Sequence, residues 1–588
     1  MRRPSKGQLI LWGSFLVLLA YQITGIFPFY ASECDGTAIA VGAMQLSEAG
    51  WDSPVLWYRY DAQPGTYTLP RILHQLLGID ALWSLSLLSA VGALAFILVC
   101  ADLVSRITKL LFPAAGLLLL SFQEVAAAGY YVNSNVLAGA FGVSALYTAC
   151  RVRTTQSPLP FIGMAGILLG LAGWMRCDVV LISPAFPFLL HKKSLRETLR
   201  NTAYLGMTSL AVFLLLFKVS GGQFSSLVGF THGHMVFDPD GTPNLGIPFL
   251  GATDIKNHLA FFSGLNVFWI LWGLVVLVSR KSWTTLAFCL AGILPLYGVY
   301  FGHLTTPKYL YYAVPFLVCL AGVGVWHIWN APRSLRKIGL WVSLLLFVGQ
   351  YLLGLRVSFR SKPWVQDPPP RLLQLIRLER EEGPIRQASL VLGAGSIINT
   401  DDGHRVPSGS LFFPSSWHRQ KSLQCDAFRT LESHLNALPT DPVSLIAGSS
   451  RGWRILMYLL LKNGYHCVDT TETRFPPPSY PLYLSRWKKG NRSVFLAYKE
   501  CEGRTWEILN EALSLNLPGH RIYVVDRGWE ETLFLDKVSS PDKICGFTDI
   551  YMLAAYNLML PVAEADPDSA TRRNRSEDKD PNSETKGR

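Results

Sequence analysis

The residues best suited to chemistry in this chain are charged groups set at the ends of apolar runs. Glu33 and Asp35 stand two apart in Ser32-Glu33-Cys34-Asp35-Gly36, directly after the first such run. A carboxylate in that place can take the proton from a hydroxyl nucleophile as it attacks, and Glu33 can assist it or help bind a divalent cation. Asp is also a common helix cap, because it satisfies free backbone N–H groups at a helix start, so both readings of Asp35 stand. Arg176, with Asp178 just beyond it, closes a run of small residues, and Lys308-Tyr309 opens a later apolar run. A cation at membrane depth is costly unless it faces the bundle interior or a wet cavity, which makes Arg176 and Lys308 functional candidates, with Arg59 a further outer cation in a loop. The plainer alternatives are a pair between Arg176 and Asp178, snorkelling of Lys308 and a solvated loop charge at Arg59. His232-Gly233-His234, near Asp238 and Asp240, has metal-ligand residue types, although two His on an exposed Gly-rich loop are more often merely polar.

The elements that must hold these residues are membrane helices. Of 588 residues, 50% are hydrophobic and 16% charged, with a mean hydropathy of +0.26. Soluble domains carry about 25% charged residues, so much of this chain belongs in lipid. A span needs about 20 mostly apolar residues, somewhat fewer where the bundle shields a helix end, and eleven runs, several of them short, read as spans, at 8–29, 82–101, 110–123, 135–150, 160–175, 177–191, 202–219, 263–279, 283–301, 309–329 and 338–354. The first follows Arg2, Arg3 and Lys6 and reads as a retained signal anchor. Basic loops stay on the cytoplasmic side. With the N-terminus inside, the inner segments hold 16 Lys and Arg and the outer segments six, namely Arg59, Arg71, Arg176, Lys218, Lys256 and Lys308. That places loops 30–81 and 220–262, and everything after about 355, outside the cytoplasm. The net charge of +12 then reads as topology signal, with no basic stripe for nucleic acid.

The sequence changes character after the membrane portion, 1–358. A Pro-rich linker at 359–370 leads to a soluble domain at 371–563, and residues 564–588 lack the large apolar side chains an ordered segment needs. β-type runs at 388–392, 443–447, 494–498 and 521–525 alternate with helical patterns at 425–438, 452–462 and 505–513. Alternation of this kind predicts βαβ units in a layered α/β domain. Cys425, Cys467, Cys501 and Cys545 lie in it, and an oxidising compartment would allow them two disulfides in any of three pairings.

The loop after the first run resembles the first extracytoplasmic loop of the GT-C glycosyltransferases, in the branch of the protein mannosyltransferases and aminoarabinose transferases. Asp35 stands in place of the first acid, Gly50-Trp51 follows, and Tyr60-Asp61-Ala62-Gln63-Pro64-Gly65 replaces a Tyr-x-x-Lys-Pro-Pro element. Gly36 stands where the second acid is usual, and Gln63 where Lys is usual. Ala165–Arg176 with Asp178, and Thr306-Pro307-Lys308-Tyr309 leading to Pro315, resemble two further motifs in the same order. In the second outer loop Glu124 is the only carboxylate, and Asn135 stands where relatives carry an acid.

The resemblance implies an α-helical polytopic membrane protein of about eleven helices with the GT-C fold, followed by an extracytoplasmic α/β domain. It implies an enzyme that moves a sugar, hexosyl or pentosyl, from a polyprenyl-phosphate-linked donor to a glycan, lipid or protein acceptor, with inversion and with Asp35 as general base. Arg176, Lys308, Arg59 and Tyr309 would hold the donor phosphate. Glu124, Asn135, Asp178, His232 and His234 would serve the acceptor or its loops, and any Mg or Mn ion would fall to Glu33 and Asp35. A bacterial plasma membrane is the expected home, ahead of the endoplasmic reticulum. Two rivals remain, a transporter or flippase and a noncatalytic relative whose outer domain binds glycans or a partner. Transporters often show internal repeats with broken helices, and none is evident.

Overall fold

The computed structural model describes residues 6–24, 34–48, 63–122, 125, 134–155, 157–191, 194–231, 264–300, 311–339, 341–343 and 345, and later 397–399, 405–407, 432, 443–447, 450–473, 482–499, 521–525 and 559–562. The chain divides into two compact units, 1–422 and 423–588. The linker at 359–370 and the tail at 564–588 lie outside the described residues.

The first unit is a helical bundle. Its helices are α1 (Lys6–Thr24), α2 (Cys34–Glu48), α3 (Pro64–Leu77), α4 (Ala81–Thr108), α5 (Phe112–Leu120), α6 (Ser134–Arg151), α7 (Pro158–Met175), α8 (Phe186–Leu190), α9 (Leu195–Val219), α10 (Phe224–Thr231), α11 (Gly264–Ser279), α12 (Trp283–Tyr300) and α13 (Val314–Trp329). Among the described residues, Ala81–Thr108, Pro158–Met175, Leu195–Val219 and Tyr311–Trp329 are long and apolar enough to cross a bilayer, and four more helices are apolar but shorter. Starts follow local chemistry. The Asp80 carboxylate accepts from the backbone N–H groups of Leu82 and Trp83 at 2.9 and 3.2 Å, and Ser194 Oγ accepts from Glu197 N–H at 3.1 Å.

One expected span differs. The run at 177–191 begins as a 3-10 helix over Cys177–Ala185 and only then becomes the five-residue α8. Pro184 and Pro187 lie within it, and each withholds the N–H that an α-helical ladder would use. Helix α2 is enclosed within the bundle. Residues 36–45 are all buried, because Gly36, Ala38, Ala40, Gly42 and Ala43 are small enough to be enclosed on every side.

The small residues of α7 have a packing role. A Cβ on Gly166 would lie 2.8 Å from the carbonyl oxygen of Leu205, and one on Gly170 would lie 2.6 Å from that of Ser209. This four-residue spacing lets α9 approach backbone to backbone, as small residues do between membrane helices.

Loop cations gather at one end of the bundle. Arg106 and Arg151 lie over the ring of Tyr147 at 5.4 and 5.2 Å, and Lys109 and Arg280 over that of Trp326 at 5.8 and 5.7 Å. Arg153 caps the end of α8 by donating to the carbonyls of Leu189, at 2.9 Å, and Phe188. These cations come from three inner segments that the charge pattern placed on a single side, and the helices do bring them to a single end.

Besides the short antiparallel pair β1 (Ile397–Asn399) and β2 (Arg405–Pro407), the described strands form a six-stranded mixed sheet in the second unit. They are β3 (Val443–Ala447), β4 (His466–Thr473), β5 (Leu482–Lys489), β6 (Arg492–Lys499), β7 (Arg521–Val525) and β8 (Met559–Val562), in the order β4-β5-β6-β3-β7-β8. β3 is central and parallel to β6 and β7, and the other neighbours are antiparallel. Helix α14 (Ser450–Lys462) follows β3 and is buried from Trp453 to Leu461, with Leu456 and Tyr458 fully enclosed. Cys467 on edge strand β4 is a free thiol whose Sγ donates to the carbonyl of Asp469 at 3.6 Å, whereas Cys425, Cys501 and Cys545 lie outside the described residues. Burial, and secondarily the Asp469 charge, push its pKa up to about 12.

Candidate active site

At the end of the bundle opposite the loop cations, the start of α3 is bound to the end of α7. Thr66 Oγ1 donates to the carbonyl of Met175 at 2.7 Å, and Gln63 Nε2 lies 3.9 Å from Cys177 Sγ. Gly65 is required there, since a Cβ would come within 2.6 Å of the Trp174 carbonyl oxygen and 2.7 Å of its ring. Trp174 is fixed in turn by donating from Nε1 to Ser220 Oγ at 3.2 Å, beyond the end of α9. Two stretches more than a hundred residues apart, Gln63-Pro64-Gly65 and Trp174–Asp178, thus form one structure.

Its charged centre is Arg176. The guanidinium donates from Nε and Nη2 to Asp178 Oδ1 and Oδ2 at 3.2 and 3.0 Å, with side-chain exposures of 13% and 1%. A two-point pair of this kind fixes the plane of the guanidinium as well as its position. Alongside, the Tyr312 hydroxyl at the entry to α13 donates to Asn135 Oδ1 at the start of α6, at 3.3 Å, and both residues are buried. Tyr311 stacks on Phe96 with ring centroids 4.2 Å apart. On α5 and α11, Ser121 and Asn266 exchange two hydrogen bonds of 3.0 Å.

Of the residues singled out from the sequence, the structure therefore brings Arg176 and Asp178 into direct contact and places Asn135 on Tyr312. Asp35 falls in the first turn of α2, and its side chain is not among those described. Glu33, Arg59, Glu124, His232, His234, Lys308 and Tyr309 lie outside the described residues. Thr66, Tyr312 and Asn266 were not picked out from the sequence. A buried Asn in an apolar run is the one signal that marks Asn266, while Thr66 falls just past the Tyr60–Gly65 element and Tyr312 lies in a motif whose charged member, Lys308, drew attention first. Among the described residues no three His, Cys, Asp or Glu side chains come together as a metal ion would need.

The fold, a bundle of membrane helices whose polar side chains converge at one end, is similar to that of the ArnT structure from Cupriavidus metallidurans bound to undecaprenyl phosphate, with a TM-score of 0.56 and 13% identity over 96% of this chain and 99% of that one. The apo form of ArnT from Cupriavidus metallidurans matches with a TM-score of 0.53 and 10% identity over 94% and 97%. The Archaeoglobus fulgidus oligosaccharyltransferase AglB, in complex with an inhibitory peptide and a dolichol-phosphate, scores 0.40 at 13% identity over 77% and 63%, too slight a likeness to build on. No protein-family model and no curated protein matches the sequence.

Proposed function

We propose that the protein is a multi-pass glycosyltransferase of a bacterial plasma membrane that takes a sugar from a polyprenyl-phosphate-linked donor on the extracytoplasmic side. The observation that carries this reading is the junction of α3 with the end of α7, where an oriented, largely buried guanidinium sits at the end of a GT-C bundle opposite its loop cations. The basic end is the cytoplasmic one by the charge rule, so Arg176 faces the outer leaflet, where a lipid phosphate is delivered. The ArnT likeness, to a protein bound to undecaprenyl phosphate, supports the same donor class.

In the transfer, the acceptor hydroxyl attacks the anomeric carbon while Asp35 takes its proton. The bond between that carbon and the phosphate oxygen breaks, and the polyprenyl phosphate departs with the bonding pair. Direct displacement inverts the anomeric centre. Arg176, held in plane by Asp178, stabilises the charge that grows on the leaving phosphate, with Lys308, Tyr309 and Arg59 assigned to the same group. Glu33 assists Asp35. Glu124, Asn135, His232 and His234 are assigned to the acceptor side. Glu33 and Asp35 are the residues that would hold a Mg or Mn ion.

The test is to incubate purified protein in vesicles with a defined polyprenyl-phosphate sugar and a hydroxyl acceptor. Glycosylated product and free polyprenyl phosphate in equal amounts support transfer. Movement of intact donor between leaflets without cleavage would favour a flippase, and neither event would leave a binding protein.

A further inference from the structure

Helix α3 carries a second outer cation whose surroundings do not satisfy it. Arg71 is half-buried, its Nε is fully enclosed, and among the described residues that nitrogen has no hydrogen-bond partner and the guanidinium no carboxylate. A buried donor left unpaired bears its full desolvation penalty, and a guanidinium keeps its charge at any ordinary pH. The neighbouring side of the same helix supplies the context. Ile72 and Leu76 are 41% and 76% exposed, which in a membrane protein is contact with acyl chains rather than water. The other side, through Thr66, Tyr67 and Pro70, is buried. Arg71 therefore lies on the flank between protein and lipid. It is five residues beyond Thr66, or about 7.5 Å along the helix axis, and Thr66 is bonded to the residue preceding Arg176. Gln63, at the start of the same helix, is uncharged and turned toward Cys177.

We infer that Arg71 binds a lipid phosphate at the outer end of the bundle, its guanidinium completing its hydrogen bonds with an anion that arrives from the lipid side along α3. The phosphate belongs either to a polyprenyl phosphate, in which case Arg71 adds a donor-binding residue to the function proposed above, or to an outer-leaflet phospholipid. The inference rests on that functional reading for its orientation in the membrane. Its own evidence is the unsatisfied Nε beside a lipid-facing helix side.

The experiment measures binding of undecaprenyl phosphate, undecaprenol and phosphatidylglycerol to the purified full chain, wild type and Arg71→Met, which keeps an apolar stem. Wild type should prefer the phosphate to the alcohol, and Arg71→Met should weaken phosphate binding by about 10- to 100-fold, the worth of a hydrogen bond to a charged group, with undecaprenol unchanged. A loss confined to undecaprenyl phosphate identifies the donor as the source, and a loss confined to phosphatidylglycerol identifies a phospholipid. Equal affinities of the two proteins for both phosphate lipids would overturn the inference while leaving the proposed function intact. If wild type does not distinguish undecaprenyl phosphate from undecaprenol, the donor reading falls as well. Should Arg71→Met fail to fold, Arg71→Gln keeps a hydrogen-bond donor but removes the charge, and wild-type affinity for both phosphate lipids in that variant would be equally fatal.

Discussion

The Arg176–Asp178 pair separates a structural role from a functional one when its two members are removed singly and then together. Both side chains are nearly closed to solvent and joined by two hydrogen bonds of 3.2 and 3.0 Å. Taking away one partner strands the other's charge in a poorly solvated site, which costs about 3–5 kcal/mol, whereas replacing both by apolar residues of similar volume is often neutral. Asp178→Leu alone and Arg176→Met alone should each lose stability on that scale, and the double variant should recover most of it. If Arg176 also stabilises the departing phosphate, the double variant will fold and still fail to transfer sugar. Unfolding in mixed micelles gives the stabilities, and a transfer assay on the same preparations gives the activities. A stable double variant with wild-type transfer would reduce the pair to packing and remove Arg176 from the mechanism. Single variants within about 1 kcal/mol of wild type would show that water reaches the pair in solution.

Thr66→Val, which keeps shape but deletes the 2.7 Å bond to Met175, should lower stability by about 1–3 kcal/mol, and an unchanged unfolding midpoint would refute the coupling of α3 to α7. Gly65→Ala should cost about 1–3 kcal/mol and slow transfer, because the new Cβ meets both the Trp174 carbonyl and the ring that Ser220 holds in place; wild-type melting and transfer would deny the close approach. Cys467, with its pKa pushed up to about 12, is mostly thiol at neutral pH, so alkylation should be slow there and accelerate with rising pH until near that value. A rate matching a free thiol at pH 8 would contradict its burial. A membrane-impermeant maleimide added outside cells should label Lys218→Cys and spare Lys281→Cys, both positions being exposed, and the reverse pattern would invert the topology.

The parts of the fold that the sequence declared are those governed by local composition. Apolar runs marked α4, α7, α9 and α13, and the Lys and Arg pattern anticipated that Arg106, Lys109, Arg151 and Arg280 would meet at one end. In the second unit, the runs at 443–447, 494–498 and 521–525 became the three parallel strands of the sheet centre, and parallel strands commonly read as continuous apolar runs. Strands β4 and β5 were missed because edge and near-edge strands such as His-Cys-Val-Asp-Thr-Thr-Glu-Thr carry polar residues throughout. The 3-10 geometry of Cys177–Ala185 depends on two prolines that a hydropathy window averages away. At the site, Arg176 and Asp178 were legible from their cost in a membrane, while the Thr66 and Tyr312 contacts join residues 109 and 177 positions apart. No single sequence discloses which distant elements will pack.

The central claim rests on Asp35, in the first turn of α2, and one conservative substitution tests it most directly. Asp35→Asn preserves size and hydrogen-bonding shape but removes the proton acceptor. With purified protein and a defined polyprenyl-phosphate sugar, single-turnover transfer should fall by about 10²- to 10⁴-fold while lipid donor still binds. Asn is nearly as good a helix cap as Asp, so transfer within a few-fold of wild type would mean that Asp35 only caps its helix, and would contradict the mechanism.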